Sequence, residues 1–326
     1  MNMSGCIKLS LVLPCYNVEA YVDRALESLR AQTFTDFEIV AVDDGSTDGT
    51  AERLRRWLDV EPRLRIHKQD NRGLYLARLS GIAQSRGQWV TFMDADDELT
   101  PDHFEVLWAG TGEDVDVVVT GIAAVDVMGV ERRYGPQRGD MLSTRAAIEL
   151  LTGTHASGLY SCCNKLYRKS VLVGAGLDRP RINYGEDQIF NLRVFRSCRG
   201  RVRGVEGYTY RYIARPGSIM HSVSERHVDD FLELWRERDA AANALLREPG
   251  VWRRYRHQKM VNWMDFSGVV FRSRAMELMR RLQQGMEQTE VVPALATIDV
   301  KNWARWAKWQ LRMKLGLRGR FPAWLA

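Results

Sequence analysis

Over its first hundred residues the chain alternates between two hydrophobic periods, and each strand-like run stops at a polar turn. Residues 7–13, Ile-Lys-Leu-Ser-Leu-Val-Leu, predict a strand that runs into Pro14-Cys15-Tyr16-Asn17. Val18, Tyr21, Val22, Ala25, Leu26 and Leu29 then recur at helical spacing over residues 18–31. Phe37–Val42 predicts a second strand ending at Asp43-Asp44-Gly45, with Ser46 or Asp48 able to cap a helix that carries Leu54 and Leu58 on one side. A third strand near Leu64–His67 leads through Asn71-Arg72-Gly73 to a helix over residues 74–85, and Gln88–Met93 predicts a buried strand that stops at Asp94. Such alternation implies an α/β fold, a mostly parallel sheet covered by helices on both faces. Ligands of these sheets bind beyond the carboxyl ends of the strands. Pro14–Asn17, Asp43–Gly45 and Asp94–Asp97 all fall at such ends, so three polar turns converge on one crevice.

Further along, Val115–Val119 predicts another strand and Tyr134–Asp140 a loop. Helices are expected over about 143–152 and 186–198, and strands within 201–212. Beyond His227 the chain reads as helical, basic and Trp-rich. The expected organisation is an α/β domain over 1–222, its first half ending near residue 110, and a helical region over 223–326. The formal net charge of +6 suits a nucleotide-sugar diphosphate, an anionic membrane or a nucleic acid, and by itself selects none of them. Cys6, Cys15, Cys162, Cys163 and Cys198 form neither a disulfide framework nor a CxxC metal pair, which points to a reducing cytoplasm. Met1–Ser10 has no apolar stretch suited to a signal peptide, and no segment approaches the roughly 20 apolar residues of a membrane span. Any membrane contact is expected to be peripheral.

Asp94-Ala95-Asp96-Asp97 is the sharpest chemical feature. Carboxylates this close repel unless a cation neutralises them, and a Mg²⁺ or Mn²⁺ that also grips a diphosphate would do so. The alternative is a solvated acidic turn before a helix, with Thr100-Pro101 as its first residues. Asp43-Asp44-Gly45-Ser46 carries a second acidic pair that could accept hydrogen bonds from a base or ribose, or could simply form a tight turn. Asn71, Gly73 and Arg78 add a donor, a permissive turn and a cation on the same side. The glycine-rich fingerprint of dinucleotide enzymes, the phosphate loop of kinases and the serine elbow of hydrolases are all missing from the sequence.

Four segments together resemble the successive signatures of family 2 glycosyltransferases with the GT-A fold. They are Val12–Asn17, Val42–Asp48, Asn71-Arg72-Gly73 with Ala77-Arg78, and Phe92–Asp97. The resemblance is strongest over residues 7–107 and continues more thinly to about 221. It implies a UDP-sugar or other nucleotide-sugar donor, a Mn²⁺ or Mg²⁺ on the D-x-D element, and an inverting single displacement. By that likeness Pro14, Tyr16 and Asn17 line the base and ribose pocket, Asp43 reads the nucleobase, Asp94 meets the ribose, and Ala95 beside it belongs to the same nucleotide-sugar-binding set. Asp96 holds the metal with Asp94, and His221 stands where some relatives supply a third ligand. Leu79 departs from the family's usual Ala-Arg-Asn, which leaves no polar role at that position. Glu186-Asp187 is similar to the family's Glu-Asp element, with Asp187 as general base and Glu186 orienting the acceptor; acidic residues in a first helical turn also favour the helix dipole without any catalytic part. Asn164–Arg168 resembles a segment of polysaccharide-building members, in which Lys165 would meet a phosphate or the acceptor, or lie exposed. Tyr210, Tyr212, Arg215, Gly217 and Ser218 match a further family stretch.

The elements of processive synthases, Q-x-x-R-W and spanning helices, are absent from the sequence, so one added sugar per encounter is expected. By analogy the acceptor is a glycan or lipid-linked glycan of a bacterial surface polysaccharide such as lipopolysaccharide or capsule, with no nucleic-acid partner. A nucleotidyltransferase, or a non-catalytic carbohydrate-binding or scaffolding relative, are the competing classes. At about 100° per residue Trp303, Trp306, Trp309, Met313 and Leu317 share one helical face, opposite Lys301, Arg305, Lys308 and Arg312. A basic amphipathic helix of this kind suits the surface of an anionic membrane, or else packs its Trp face on the protein. The expected location is therefore cytoplasmic, peripheral on the inner face of the membrane.

Overall fold

A computed structural model describes residues 7–135, 141–153, 159–178, 182, 184–214 and 225–245, with Tyr255, Lys259, Asn262, Trp263, Phe266, Arg281 and Leu282. His221, Arg215, Gly217, Ser218 and the basic segment from Lys301 onward lie outside the described residues. The chain divides into two compact units, Met1–Leu151 with His155–Ser218, and Thr152–Thr154 with Ile219–Ala326.

The first unit opens with β1 (Leu9–Cys15), α1 (Val22–Arg30), β2 (Phe37–Asp44), α2 (Thr50–Trp57), β3 (Leu64–Gln69), α3 (Leu74–Gln84) and β4 (Trp89–Phe92). It continues through β5 (Glu98–Leu99), α4 (His103–Ala109), β6 (Val115–Val119), β7 (Ile122–Val125), β8 (Glu131–Tyr134), β9 (Met141–Leu142) and α5 (Thr144–Gly153). After these come β10 (Lys165–Arg168), α6 (Lys169–Gly174), α7 (Glu186–Ser197), β11 (Arg201–Gly204) and β12 (Tyr210–Ile213). The large sheet has the order β3-β2-β1-β4-β10-β6-β11-β9. Its first four strands are parallel, as the alternating pattern predicts. β10 then inserts antiparallel to both β4 and β6. A smaller sheet, β5-β12-β7-β8, receives the chain as it leaves β4.

β1 and β2 are buried along their whole lengths, which is why both read as nearly continuous apolar runs. The first helix begins at Val22, later than the periodicity predicts, because the carbonyl of Val18 accepts the N–H groups of Tyr21 (2.9 Å) and Val22 (3.0 Å) in a preceding turn. Asp48 takes the Thr50 N–H at 3.0 Å at the start of α2, whereas Ser46 accepts the Asn17 N–H at 3.2 Å instead. Leu58 falls past the end of α2 and is exposed, and Trp57 fills the inner position in its place. α3 packs tightly on the sheet: a Cβ at Gly81 would lie 2.2 Å from Val12 Cγ1.

In the second unit α8 (Glu225–Leu245) buries Val228, Phe231 and Trp235, and Phe231 stacks on Phe266 at 4.0 Å between ring centroids. Asp239 accepts hydrogen bonds from the Tyr255 hydroxyl (2.6 Å) and Lys259 Nζ (2.7 Å). Among the described residues no helix is long and apolar enough to cross a membrane.

Polar residues in the middle strands need partners of their own. Ser10 in β1 donates to Glu38 Oε1 of β2 at 2.7 Å, and Ser10 Oγ accepts the Gly87 N–H at 2.8 Å. Glu38, only 3% exposed, also receives Arg65 NH1 at 2.8 Å and the Arg86 N–H at 2.6 Å. Burial acts to raise the Glu38 pKa, but the bonds from Ser10, Arg86 and Arg65 outweigh it and hold the carboxyl below its usual range. Glu38→Gln is therefore expected to cost about 1–3 kcal/mol in urea unfolding at pH 7. A carboxylate with a depressed folded pKa contributes its stability above the unfolded pKa and loses it as pH falls through the folded one. The difference between wild type and variant should accordingly shrink in acid; a difference independent of pH would contradict this account.

Candidate active site

Three turns at the carboxyl ends of β1, β2 and β3 brace one another. Pro14 is buried at the end of β1 in register with Val42 of β2, and Tyr16 beyond it is 49% exposed. Asn17 sits at φ 51°, a left-handed conformation that asparagine tolerates, and its Oδ1 accepts the Thr47 N–H at 2.8 Å. Asp43 is buried and accepts the Ser46 N–H at 3.0 Å. Asp44, the second member of the acidic pair, holds the next turn: it accepts Gln69 Nε2 (2.7 Å), the Arg72 N–H (2.8 Å) and the Gly73 N–H (2.8 Å). The path is tight, since a Cβ at Gly45 would lie 2.7 Å from the Asn71 backbone nitrogen. Asn71 and Gly73 are thus carried on the same rim as Asn17 and Asp43.

Arg78 projects from α3 to the centre of this rim. Its side chain is 2% exposed, with NH2 2.9 Å from Asp94 Oδ1 and NH1 paired with Asp187 Oδ1. Burial would lower the guanidinium pKa, yet Asp187 and then Asp94 keep it well above its usual value. From sequence, Arg78 was assigned to the nucleotide-sugar side; in the structure its terminal nitrogens join two carboxylates that are 93 positions apart in the chain. Arg78 offsets part of the charge crowding at Asp94. Asp94 retains a raised pKa, through burial first and then through Asp187 and Asp96, against the opposing pull of Arg78.

The rest of the acidic turn is divided by the fold. Ala95 is buried, and Asp96 is half-buried on the rim. Asp97 turns inward, where it accepts the Tyr210 hydroxyl and the Ile213 N–H (2.9 Å) of β12. Tyr210 Oη in turn accepts the Asp94 N–H at 3.3 Å. Thr100-Pro101 lie ahead of α4, whose N-cap is Asp102.

Glu186 and Asp187 open α7 directly after Gly185, which adopts the left-handed φ of 70°. Asp187 Oδ2 accepts the Cys162 N–H at 3.0 Å, a contact that sequence reasoning missed. Asn191, one helical turn later, sends Nδ2 to the carbonyls of Tyr160 (3.0 Å) and Asp187 (2.9 Å) while the Tyr167 hydroxyl donates to its Oδ1 at 2.7 Å. Its spacing of four from Asp187 was the available clue. Lys165 is not exposed: it is fully buried in β10, with Nζ on the Ser161 carbonyl and 2.9 Å from Asn164 Oδ1, and burial pushes it down to about 8. Glu186 carries the opposite perturbation, pushed up to about 8 by burial and then by the Asp187 carboxylate.

Two half-exposed carboxylates at a strand end, Asp94 and Asp96, form an oxygen donor set of the kind Mg²⁺ or Mn²⁺ takes when it keeps water and substrate phosphates in its other positions. Among the described residues no group of three His, Cys, Asp or Glu side chains could cage a metal alone. The donor set fits an ion shared with a diphosphate rather than a structural metal.

The profile of Glycosyl transferase family 2 matches residues 10–174. EpsH of Bacillus subtilis (strain 168) is 30% identical over 236 residues, which are 70% of this chain and 67% of EpsH. Among solved structures, S. aureus TarS 1–349 in complex with UDP-GlcNAc superposes with a TM-score of 0.64 at 20% identity, covering 97% of this chain and 94% of TarS. The mannosyltransferase PcManGT from Pyrobaculum calidifontis, in complex with GDP-Man and Mn²⁺, superposes at 0.54 with 16% identity, covering 94% and 83%. The parallel half-sheet that ends in the Asp94–Asp97 turn, followed by an antiparallel strand, is a GT-A fold. The chain belongs to glycosyl transferase family 2 and is a glycosyltransferase.

Proposed function

We propose that this enzyme moves one sugar from a nucleotide-diphosphate sugar, a UDP-sugar in the first instance, to an acceptor hydroxyl with inversion at the anomeric carbon. The observation that carries the proposal is the single buried guanidinium of Arg78 between Asp94 and Asp187. It ties the turn suited to the donor to the acidic start of α7, so a carboxylate lies one side chain away from the donor crevice. Inversion requires such a group opposite the leaving diphosphate. Pro14, Tyr16, Asn17 and Asp43 line the nucleoside side of that crevice, and Asn71 and Gly73 its rim. The UDP-GlcNAc held by TarS supports the donor class, and the Mn²⁺ in PcManGT supports the metal.

Asp94 and Asp96 would hold Mn²⁺ or Mg²⁺. When bound, the ion supplies charge stabilisation for the departing diphosphate. Asp187, fixed by Arg78 and by the Cys162 N–H, takes the proton from the acceptor hydroxyl as the new bond forms. Glu186, with its pKa near 8, is protonated at neutral pH and can donate a hydrogen bond that orients the acceptor. A glycan of a bacterial surface polysaccharide is the acceptor class we favour.

Asp96→Ala should abolish transfer and remove the manganese dependence of UDP binding, read as a thermal shift with and without the ion. Unchanged manganese-dependent binding would dismiss the D-x-D assignment. Asp187→Asn should lower turnover by about two to four orders of magnitude while donor binding stays near wild type. Glu186→Gln should act mainly on acceptor KM. In the wild type that KM should rise above pH about 8 as Glu186 ionises, and the variant should lose this rise. If Glu186→Gln is the dead variant and Asp187→Asn the active one, the two roles are reversed.

A further inference from the structure

The small sheet presents one of its faces to the acidic turn, and that face becomes more exposed with distance from it. Tyr210 marks the face, since its hydroxyl bonds Asp97 and the Asp94 N–H. Side chains two residues apart on a strand share a face, as do residues paired across strands. Register therefore places Ile122 of β7 and Tyr134 of β8 in the row of Tyr210. The next row outward is Tyr212, Ala124 and Arg132. The inner row is closed at Tyr210, which is 2% exposed, and at Ile122, 4%. The outer row opens: Tyr212 is 43% exposed, Arg132 is exposed, and the small Ala124 lies between them half-buried.

Tyr160 reaches the same place from the segment that precedes β10. Its carbonyl is pinned by Asn191 at 3.0 Å, and two residues later the Cys162 N–H meets Asp187. Burial, followed by Tyr134, Asp187 and Tyr212, raises the pKa of the Tyr160 hydroxyl, which identifies those three as its electrostatic neighbours. Tyr134 and Tyr212 of the small sheet are thus neighbours of Tyr160, which itself neighbours the Asp187 carboxylate, and the row of Tyr212 is kept low by Ala124. A packed core would bury such rings, whereas here one of them is nearly half exposed. Tyrosine offers an apolar ring face and a polar tip. A pyranose offers the complement, a C–H face bounded by hydroxyls. Sites for such ligands combine aromatic walls with a few polar groups.

We propose that Tyr134, Tyr160 and Tyr212 form an acceptor subsite that stacks on a pyranose ring of the glycan acceptor and holds its hydroxyl at Asp187. This rests on the assignment of Asp187 to the acceptor side. Arg132 borders the subsite and supplies donors to ring hydroxyls at its outer edge.

The test uses the full chain with UDP and Mn²⁺ and reads saturation transfer from protein to the ring C–H protons of methyl pyranosides of glucose, galactose and N-acetylglucosamine. At least one of these probes should give signal with wild type. Tyr212→Ala and Tyr160→Ala should lose it, Tyr212→Phe should keep it, and Ala124→Leu should lose it by filling the floor. The UDP thermal shift, measured on the same samples, should match wild type in every variant and so exclude misfolding as the cause. No signal from any probe on wild type, or equal signal from the alanine variants, overturns the subsite. Loss in Tyr212→Phe equal to that in Tyr212→Ala overturns the stacking mode. A wild type that fails to bind UDP would sink the donor assignment instead, and the glycoside signals would still decide the subsite.

Discussion

A buried guanidinium held between two carboxylates is the constraint around which the rest of this molecule is arranged. Removing Arg78 from water is costly, and the cost is met only because Asp94 and Asp187 both reach it. The reverse also holds: each carboxylate sits in partly desolvated surroundings and depends on the cation. Losing one member of such a buried group typically costs about 3–5 kcal/mol, because the others are left uncompensated. The arrangement fixes the distance between the end of β4 and the start of α7, which no backbone hydrogen bond among the described residues joins directly. It also requires α3 to lie close on the sheet, and Gly81 against Val12 permits that approach.

The second half of the unit positions chemistry by a different device. Its strands are short and many of its side chains are polar, so hydrogen bonds to loop carbonyls replace the continuous apolar faces of β1 and β2. Asn191 and Lys165, both fully buried, secure the 160–164 segment through its carbonyls and Asn164. Asp97 does the same for the smaller sheet through Tyr210 and Ile213. Each of these polar groups is committed to a specific partner, and a half-satisfied set would cost more than an apolar one. A rigid first half for the donor and a bonded framework for the acceptor side are what one-step displacement needs, since both reactants must be oriented at once.

Much of the first half was legible from residues alone. The strands β1, β2 and β4 announce themselves because burial on both faces demands apolar runs, and the polar turns follow where those runs stop. Asp94 and Asp96 stood out as an acidic turn just past the end of a strand, whereas Asp187 was named through the resemblance of Glu186-Asp187 to the family's Glu-Asp element. Other elements were not legible. β10 is four residues long and begins with a lysine, a poor mark of a central strand until Ser161 and Asn164 supply partners for its ammonium. Leu58 kept the helical period of α2 yet lies outside it, because the helix stops at Trp57.

What the sequence determined by itself was therefore periodic and local: the alternating elements, their turns, and which residue types stand at the ends of strands. Hydrophobic period and turn chemistry act over a few residues, and a single chain records them directly. What only the tertiary structure decided was pairing at long range. That Arg78 neutralises Asp94, that Asp97 turns away from Asp96 to meet Tyr210, and that Tyr134, Tyr160 and Tyr212 share one place all depend on which buried charge or ring finds which partner. Burial makes those partnerships obligatory, because an unpaired charge in a dry interior is too costly to keep, but nothing in the local pattern says where along the chain the partner will be found.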